Sequence, residues 1–158
     1  FTFAGRGENG AVENYGDIQV ANSGTVALIA PVVKNTGSIT APNGQVKLTA
    51  ADKVRVILQN GKLASYDIDK GTLQGLVENG GAIIADNGVV HLTAVAEKQL
   101  GRAVVNHTGY IQANRLETNA KGEIVLLGDM SKGAVNISGS LVAEANFCTK
   151  EKIIRSLP

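Results

Sequence analysis

Tryptophan is missing from this 158-residue chain, and only three Phe and three Tyr are present. A core built around large aromatics is therefore excluded. The 44% hydrophobic fraction has to come mainly from Val, Ile, Leu and Ala, and 19 Gly break it into short pieces. That composition favours short, closely stacked strands. A single cysteine, Cys148, excludes an internal disulfide. A lone thiol fits a reducing compartment, and it equally fits a bacterial protein that crosses a membrane unfolded. Charge of one sign is also lacking: 15 basic and 14 acidic residues leave a net charge of +1. Nothing electrostatic therefore points to nucleic acid or an anionic membrane as partner. No apolar run approaches the roughly 20 residues of a spanning helix, so membrane insertion is not expected. No signal peptide is recognisable in the opening FTFAGRG, and the expectation is a piece of a longer protein.

What the chain does have is repetition. Val33–Ala50 reads VKNTGSITAPNGQVKLTA and Val77–Ala94 reads VENGGAIIADNGVVHLTA, with Val, Asn, Gly, Ile, Ala, Gly, Val, Leu and Ala at matching offsets. An earlier copy starts at Val12, carrying Asn14, Gly16, Ile18, Gly24, Val26, Leu28 and Ala30. The first two copies start 21 residues apart, a period that calls for one turn of a strand-built solenoid per copy. A fourth copy carries Val105, Gly109, Ile111, Ala113, Gly122, Ile124 and Leu126, with His107 in the Asn position, and a fifth starts at Val135.

Within each copy the residue character alternates with period two, which assigns strands. Val33, Ile39, Val46, Leu48 and Ala50 are expected to point inward, and Lys34, Ser38, Lys47 and Thr49 outward. The recurrent Asn14, Asn35 and Asn79 are read as a structural ladder: Asn tolerates left-handed backbone, and its amide can bond to a turn and to the next amide along. His107 would extend the row. Gly24, Gly44 and Gly88 are read as relief at a bend where a side chain would crowd.

Between the second and third copies the period is interrupted, their starts being 44 residues apart. Residues 54–69 read as a β-hairpin turning at Asn60-Gly61 and extruded from the body. Two short helical insertions are expected, in DKGTLQGLVEN (69–79) and AEKQLGRAV (96–104). The fold class is thus all-β: a right-handed parallel β-helix over 1–143, with a hairpin, two helical insertions and a non-repeat tail over 144–158.

Chemistry is sparse. Gly5, Gly7 and Gly10 spell G-x-G-x-x-G, but no helical stripe follows to face a pyrophosphate, so the motif is read as a turn. Two His without a neighbouring Cys or carboxylate cluster make a poor metal set. Glu13, Lys34 and Glu78, then Asp17 and Ser38, share outward rows of mixed charge, unlike the convergent acids of glycan cleavage. Asp67 and Asp69 belong to the hairpin, and no Ser–His–Asp arrangement can be singled out. No catalytic, cofactor or metal residue is assigned, and an enzyme is not expected.

The stretches GTVALIAPVVKNTGSITAPNGQVKLTAADKVRV, LVENGGAIIADNGVVHLTAVA, VVNHTGYIQA and GEIVLLGDM resemble the filamentous-haemagglutinin family, from about Ala11 to Ala143. These are large exoproteins of Gram-negative two-partner secretion, among them adhesins and contact-dependent inhibition toxins. The resemblance implies a non-enzymatic structural segment of a secreted cell-surface adhesin, whose partners are a dedicated outer-membrane transporter and a surface receptor. A toxin stalk of the same architecture, or a glycan-binding or glycan-cleaving β-helix, are the alternatives. The family's Asn-Pro-Asn motifs are absent, and Pro42-Asn43-Gly44 is only a partial echo.

Overall fold

The computed structural model describes residues 1–5, 10–97, 101–129 and 133–145, together with the backbone of 154–156. After β1 (Thr2–Ala4) the chain lays down three strands at a time. The first round is β2 (Ala11–Asn14), β3 (Asp17–Gln19) and β4 (Thr25–Ala30). The second is β5 (Val32–Asn35), β6 (Ser38–Thr40) and β7 (Gln45–Ala50). A hairpin, β8 (Lys53–Gln59) and β9 (Lys62–Lys70), intervenes before β10 (Gln74–Asn79), β11 (Ala82–Ile84) and β12 (Val89–Ala94). The fourth round is β13 (Arg102–His107), β14 (Tyr110–Gln112) and β15 (Glu123–Leu127), and the fifth is β16 (Gly133–Ile137), β17 (Ser140–Val142) and β18 (Ile154–Ser156).

Each round gives one strand to each of three parallel five-stranded sheets, ordered β16-β13-β10-β5-β2, β17-β14-β11-β6-β3 and β18-β15-β12-β7-β4. The fold is all-β with parallel sheets. The repeat sets the register, so like residues lie opposite like. Val12, Val33, Val77, Val105 and Val135 form one row of the first sheet. Ile18, Ile39, Ile83, Ile111 and Leu141 form one of the second, and Leu28, Leu48, Leu92 and Leu126 one of the third. These rows are the core: Val33, Ile39, Val46, Leu48, Val77, Ile83, Val90, Leu92, Val105 and Ile111 are completely buried. A one-residue slip would turn every such side chain outward, so the pairing is strongly specified.

Two expectations about local backbone need correction. No helix occurs among the described residues. The 69–79 stretch bridges at Thr72 to Ala96 and then forms β10, which is paired on both edges, by β5 and β13. Gly71 and Gly75 weaken a helix there, while the two parallel partners satisfy the backbone of an extended strand. In the 96–104 stretch, Ala96 is the other half of that bridge and Arg102 opens β13; Lys98–Leu100 lie outside the described residues, as does Cys148. The tail, expected to leave the pattern, supplies β18, parallel to β15.

The left-handed positions also fall elsewhere than expected. Asn14, Asn35 and Asn79 are ordinary strand residues, whereas Ser23, Asn43 and Asn87 have φ of 62°, 53° and 60°. Each sits third in a four-residue turn closed from the N–H of Gly24, Gly44 or Gly88 to the carbonyl of Ala21, Ala41 or Ala85. The following glycine is required for closeness. A Cβ on Gly88 would lie 2.1 Å from the carbonyl oxygen of Gly44 one round earlier, and a Cβ on Gly81 2.0 Å from that of Gly37.

The hairpin turns at Asn60-Gly61 through two left-handed residues, as its sequence predicts. Rather than projecting away, it packs a second core of its own: Ala51, Val54 and Val56 are buried, with Ile29, Leu63, Tyr66 and Ile68 against them. Ile29 belongs to β4, so the hairpin lies on the outer face of the third sheet. Strand β1 extends the hairpin on its other edge, antiparallel to β8.

Candidate functional site

Three arrangements of polar groups stand out: one inside the body and two on its surface. The interior one is the row predicted from the repeat. Asn14 Nδ2 donates to Asn35 Oδ1 at 2.8 Å, and Asn35 Nδ2 to Asn79 Oδ1 at 2.8 Å. Asn79 Nδ2 faces His107 Nδ1 at 3.2 Å, and His107 Nε2 faces the carbonyl of Ser140 at 3.1 Å. An amide N–H and a carbonyl on either side fix the imidazole as the tautomer protonated on Nε2. Asn35, Asn79 and His107 are completely buried, where an unpaired polar group would cost about 1–3 kcal/mol. The backbone repeats the device. The carbonyls of Asn14, Asn35, Asn79 and His107 each accept two N–H groups from the corner one round on, Thr36 and Gly37, Gly80 and Gly81, Thr108 and Gly109, Ser138 and Gly139. The row ends at Ile137, opposite His107 in the fifth round. Its chemistry is structural, since every polar atom faces another inside the protein.

A concavity lies on the outer face of the first sheet. Its floor is the outward row Val32, Leu76 and Val104, and its walls include Asp52, Lys70, Leu73, Glu97, Arg102 and Asn106. Lys70 Nζ stands 3.3 Å from Asp52 and 3.8 Å from Glu97. The two acids thus flank one ammonium and share no open position at which one could donate a proton while the other attacks. Two further outward acids are in local pairs: Glu13 with Lys34 at 3.7 Å, and Asp17 with the Ser38 hydroxyl at 2.5 Å. In the hairpin, Asp69 accepts twice from Arg55 at 2.8 Å, and Asp67 accepts from the Ser65 hydroxyl at 2.6 Å.

The third arrangement lies where the third sheet meets the hairpin. Lys47 and His91 are opposite each other on β7 and β12, facing outward as the alternation predicts. Lys47 Nζ is 3.3 Å from His91 Nδ1 and 5.1 Å from the centre of the Tyr66 ring, which comes over from β9. Tyr66 donates its hydroxyl proton to Thr49 Oγ1 at 2.8 Å. Thr49, expected in solvent, is therefore only 2% exposed. Burial, then Lys47, then Lys121 push the His91 imidazole down to about 4. Burial first, and then Lys121, lower the Lys47 ammonium, while Glu123 raises it. Burial likewise raises the Tyr66 phenol. The pair was recoverable from the repeat, because the aligned copies put Lys47 and His91 at one position.

No group of three or more His, Cys, Asp or Glu able to hold a metal ion occurs among the described residues. The ladder residues Asn14, Asn35 and Asn79 are brought together as predicted, and His107 joins them. A scan against protein-family models finds no match, and a search of curated proteins finds no similar sequence.

Proposed function

We propose that the chain is a right-handed parallel β-helix acting as a stiff, non-enzymatic segment of a large secreted surface adhesin, exported by two-partner secretion. The observation that carries this reading is the self-stacking of the repeat. Five rounds give their Val, Ile and Leu to the same rows, and a buried hydrogen-bonded row runs through four of them. Such a body gains stability from each round's contact with its neighbours. It is suited to length and stiffness, and its polar interior is closed to substrate. The secretion half of the reading rests on the resemblance of its repeats to the filamentous-haemagglutinin family, in which a chain crosses the outer membrane unfolded and folds outside.

The test is export. The chain, joined behind a signal peptide to upstream Asn-Pro-Asn coils, is expressed with and without a two-partner outer-membrane transporter. Protein is expected in the culture medium only with the transporter, and the chain lacking those coils is expected to be exported poorly. Equal recovery from the medium in the transporter's absence would overturn the assignment.

A further inference from the structure

The first round has an open side, and the two layers beside that opening are both unfinished. Among the described residues β4 pairs only with β7. The carbonyls of Gly24 and Ala30 accept from the N–H groups of Gln45 and Ala51. By the alternation of a parallel ladder, Val26 and Leu28 face β7 as well, and Thr25, Ala27 and Ile29 turn their N–H and C=O groups to the free edge. Such an edge is a template for another strand. Leu28, at the end of the leucine row, is only partly buried, whereas Leu48 and Leu92 are completely so. A strand added here meets an apolar row on its inner face.

The hairpin sheet sets the chemistry of the outer face. Phe3 lies directly opposite Val54, and Phe1 exchanges two backbone hydrogen bonds with Val56, at 2.7 Å and 2.8 Å. Opposite residues of an antiparallel pair share a face. Phe1 and Phe3 thus stand on the face that buries Val54 and Val56, yet they are 77% and 51% exposed. The body does not reach beneath them. In this sheet β9 sits over the second round, where Tyr66 bonds Thr49, and Ile29 of the first round packs into the hairpin core. Strand β1 is the one farthest from β9.

We infer that β1 overhangs the free edge of β4, and that the slot between them captures an extended polypeptide strand of a partner, apolar on both faces. Backbone bonds to Thr25, Ala27 and Ile29 hold the strand. Its alternate side chains give selectivity: one set extends the row of Leu28, and the other packs under Phe1 and Phe3. A second copy of this chain supplies no such strand from its own free edge. Its β4 is apolar on both faces, but Ile29 there is already covered by that copy's hairpin. The occupant is therefore a strand whose outer face is bare. The slot belongs to the folded body, so this inference and the export reading can fail separately.

The test uses the folded chain, labelled for amide hydrogen exchange, and a synthetic peptide with the sequence of residues 24–30, GTVALIA, carrying an added lysine at each end. At saturating peptide the amides of Thr25, Ala27 and Ile29 are expected to exchange roughly tenfold more slowly or better, and those of Val26 and Leu28 to change little. A second peptide bears lysine in place of the two outward residues, those matching Ala27 and Ile29, and is expected to bind roughly tenfold more weakly. Phe3→Ala is expected to weaken the first peptide by a similar factor and to leave the second unchanged. A hairpin merely loosened by the substitution does not produce that coupling. Unchanged exchange at the three amides would overturn the site. So would equal binding of the two peptides, or protection that grows with protein concentration alone, which would make the occupant a second copy.

Discussion

The first round and the third carry the same residues at the same offsets, but in different surroundings. Asn79 is buried and bonded on both sides, whereas Asn14 is half-exposed, its Oδ1 bonded only to its neighbour Gly16 at 3.2 Å. Leu92 is completely buried and Leu28 only partly so. A Cβ on Gly81 would meet the Gly37 carbonyl at 2.0 Å, while one on Gly16 would meet nothing within 4 Å. The difference lies in the neighbours: among the described residues the third round is covered on both sides, the first on one. In a body of this kind a residue's energetic weight belongs to the interface between rounds more than to the residue.

The sharpest break of that equivalence is expected at the glycines. Gly81→Ala forces two backbones apart and should destabilise by about 3 kcal/mol or more, whereas Gly16→Ala should stay within about 0.5 kcal/mol. Denaturant midpoints of the two variants make the comparison, and equal losses would refute it. Next come the leucines. Leu92→Ala is expected to cost about 3 kcal/mol, and Leu28→Ala clearly less, because its site can relax toward solvent. Asn79→Ala removes the hydrogen bonds of a buried amide, leaving Asn35 Nδ2 without its acceptor and His107 Nδ1 without its donor. About 2 kcal/mol is expected, against less than about 1 for Asn14→Ala.

The smallest effect is one of pH. His91 has a depressed value when folded, so the unfolded chain binds more protons between pH 6.5 and about 4. Stability should therefore fall as pH drops through that window and level off below it. His91→Gln should remove this component of the slope of Tm against pH, and an unchanged slope would refute the assignment.

Much of this was legible in the repeat. Period-two alternation placed Val33, Ile39, Val46, Leu48 and Ala50 inside, and all five are completely buried. The recurrent Asn announced the interior row, and Asn60-Gly61 announced the hairpin. What was not legible was contact between elements that share no period. Nothing in KLTA says that a hairpin from residues 53–70 will fold back over Lys47 and Thr49, so two outward residues read as solvated became half-buried and buried. The helical reading of 69–79 failed for a related reason: local pattern was ambiguous, and two flanking parallel strands decided it. The left-handed turn positions do carry a sequence signal, since Asn43 and Asn87 each stand directly before a glycine.

The buried amide row has a direction. Each side chain donates toward the later round, from Asn14 to Asn35, to Asn79, to His107 and finally to the Ser140 carbonyl. Turning over one amide would set N–H against N–H on one side and oxygen against oxygen on the other. The row is therefore correct only as a whole. A chain that wound one round out of step would bring Ile137, which can neither donate nor accept through its side chain, against Asn79. Besides holding the rounds together, the row checks their order, in the way a parity bit checks a message: a single misplaced round leaves a mismatch that the finished fold does not contain.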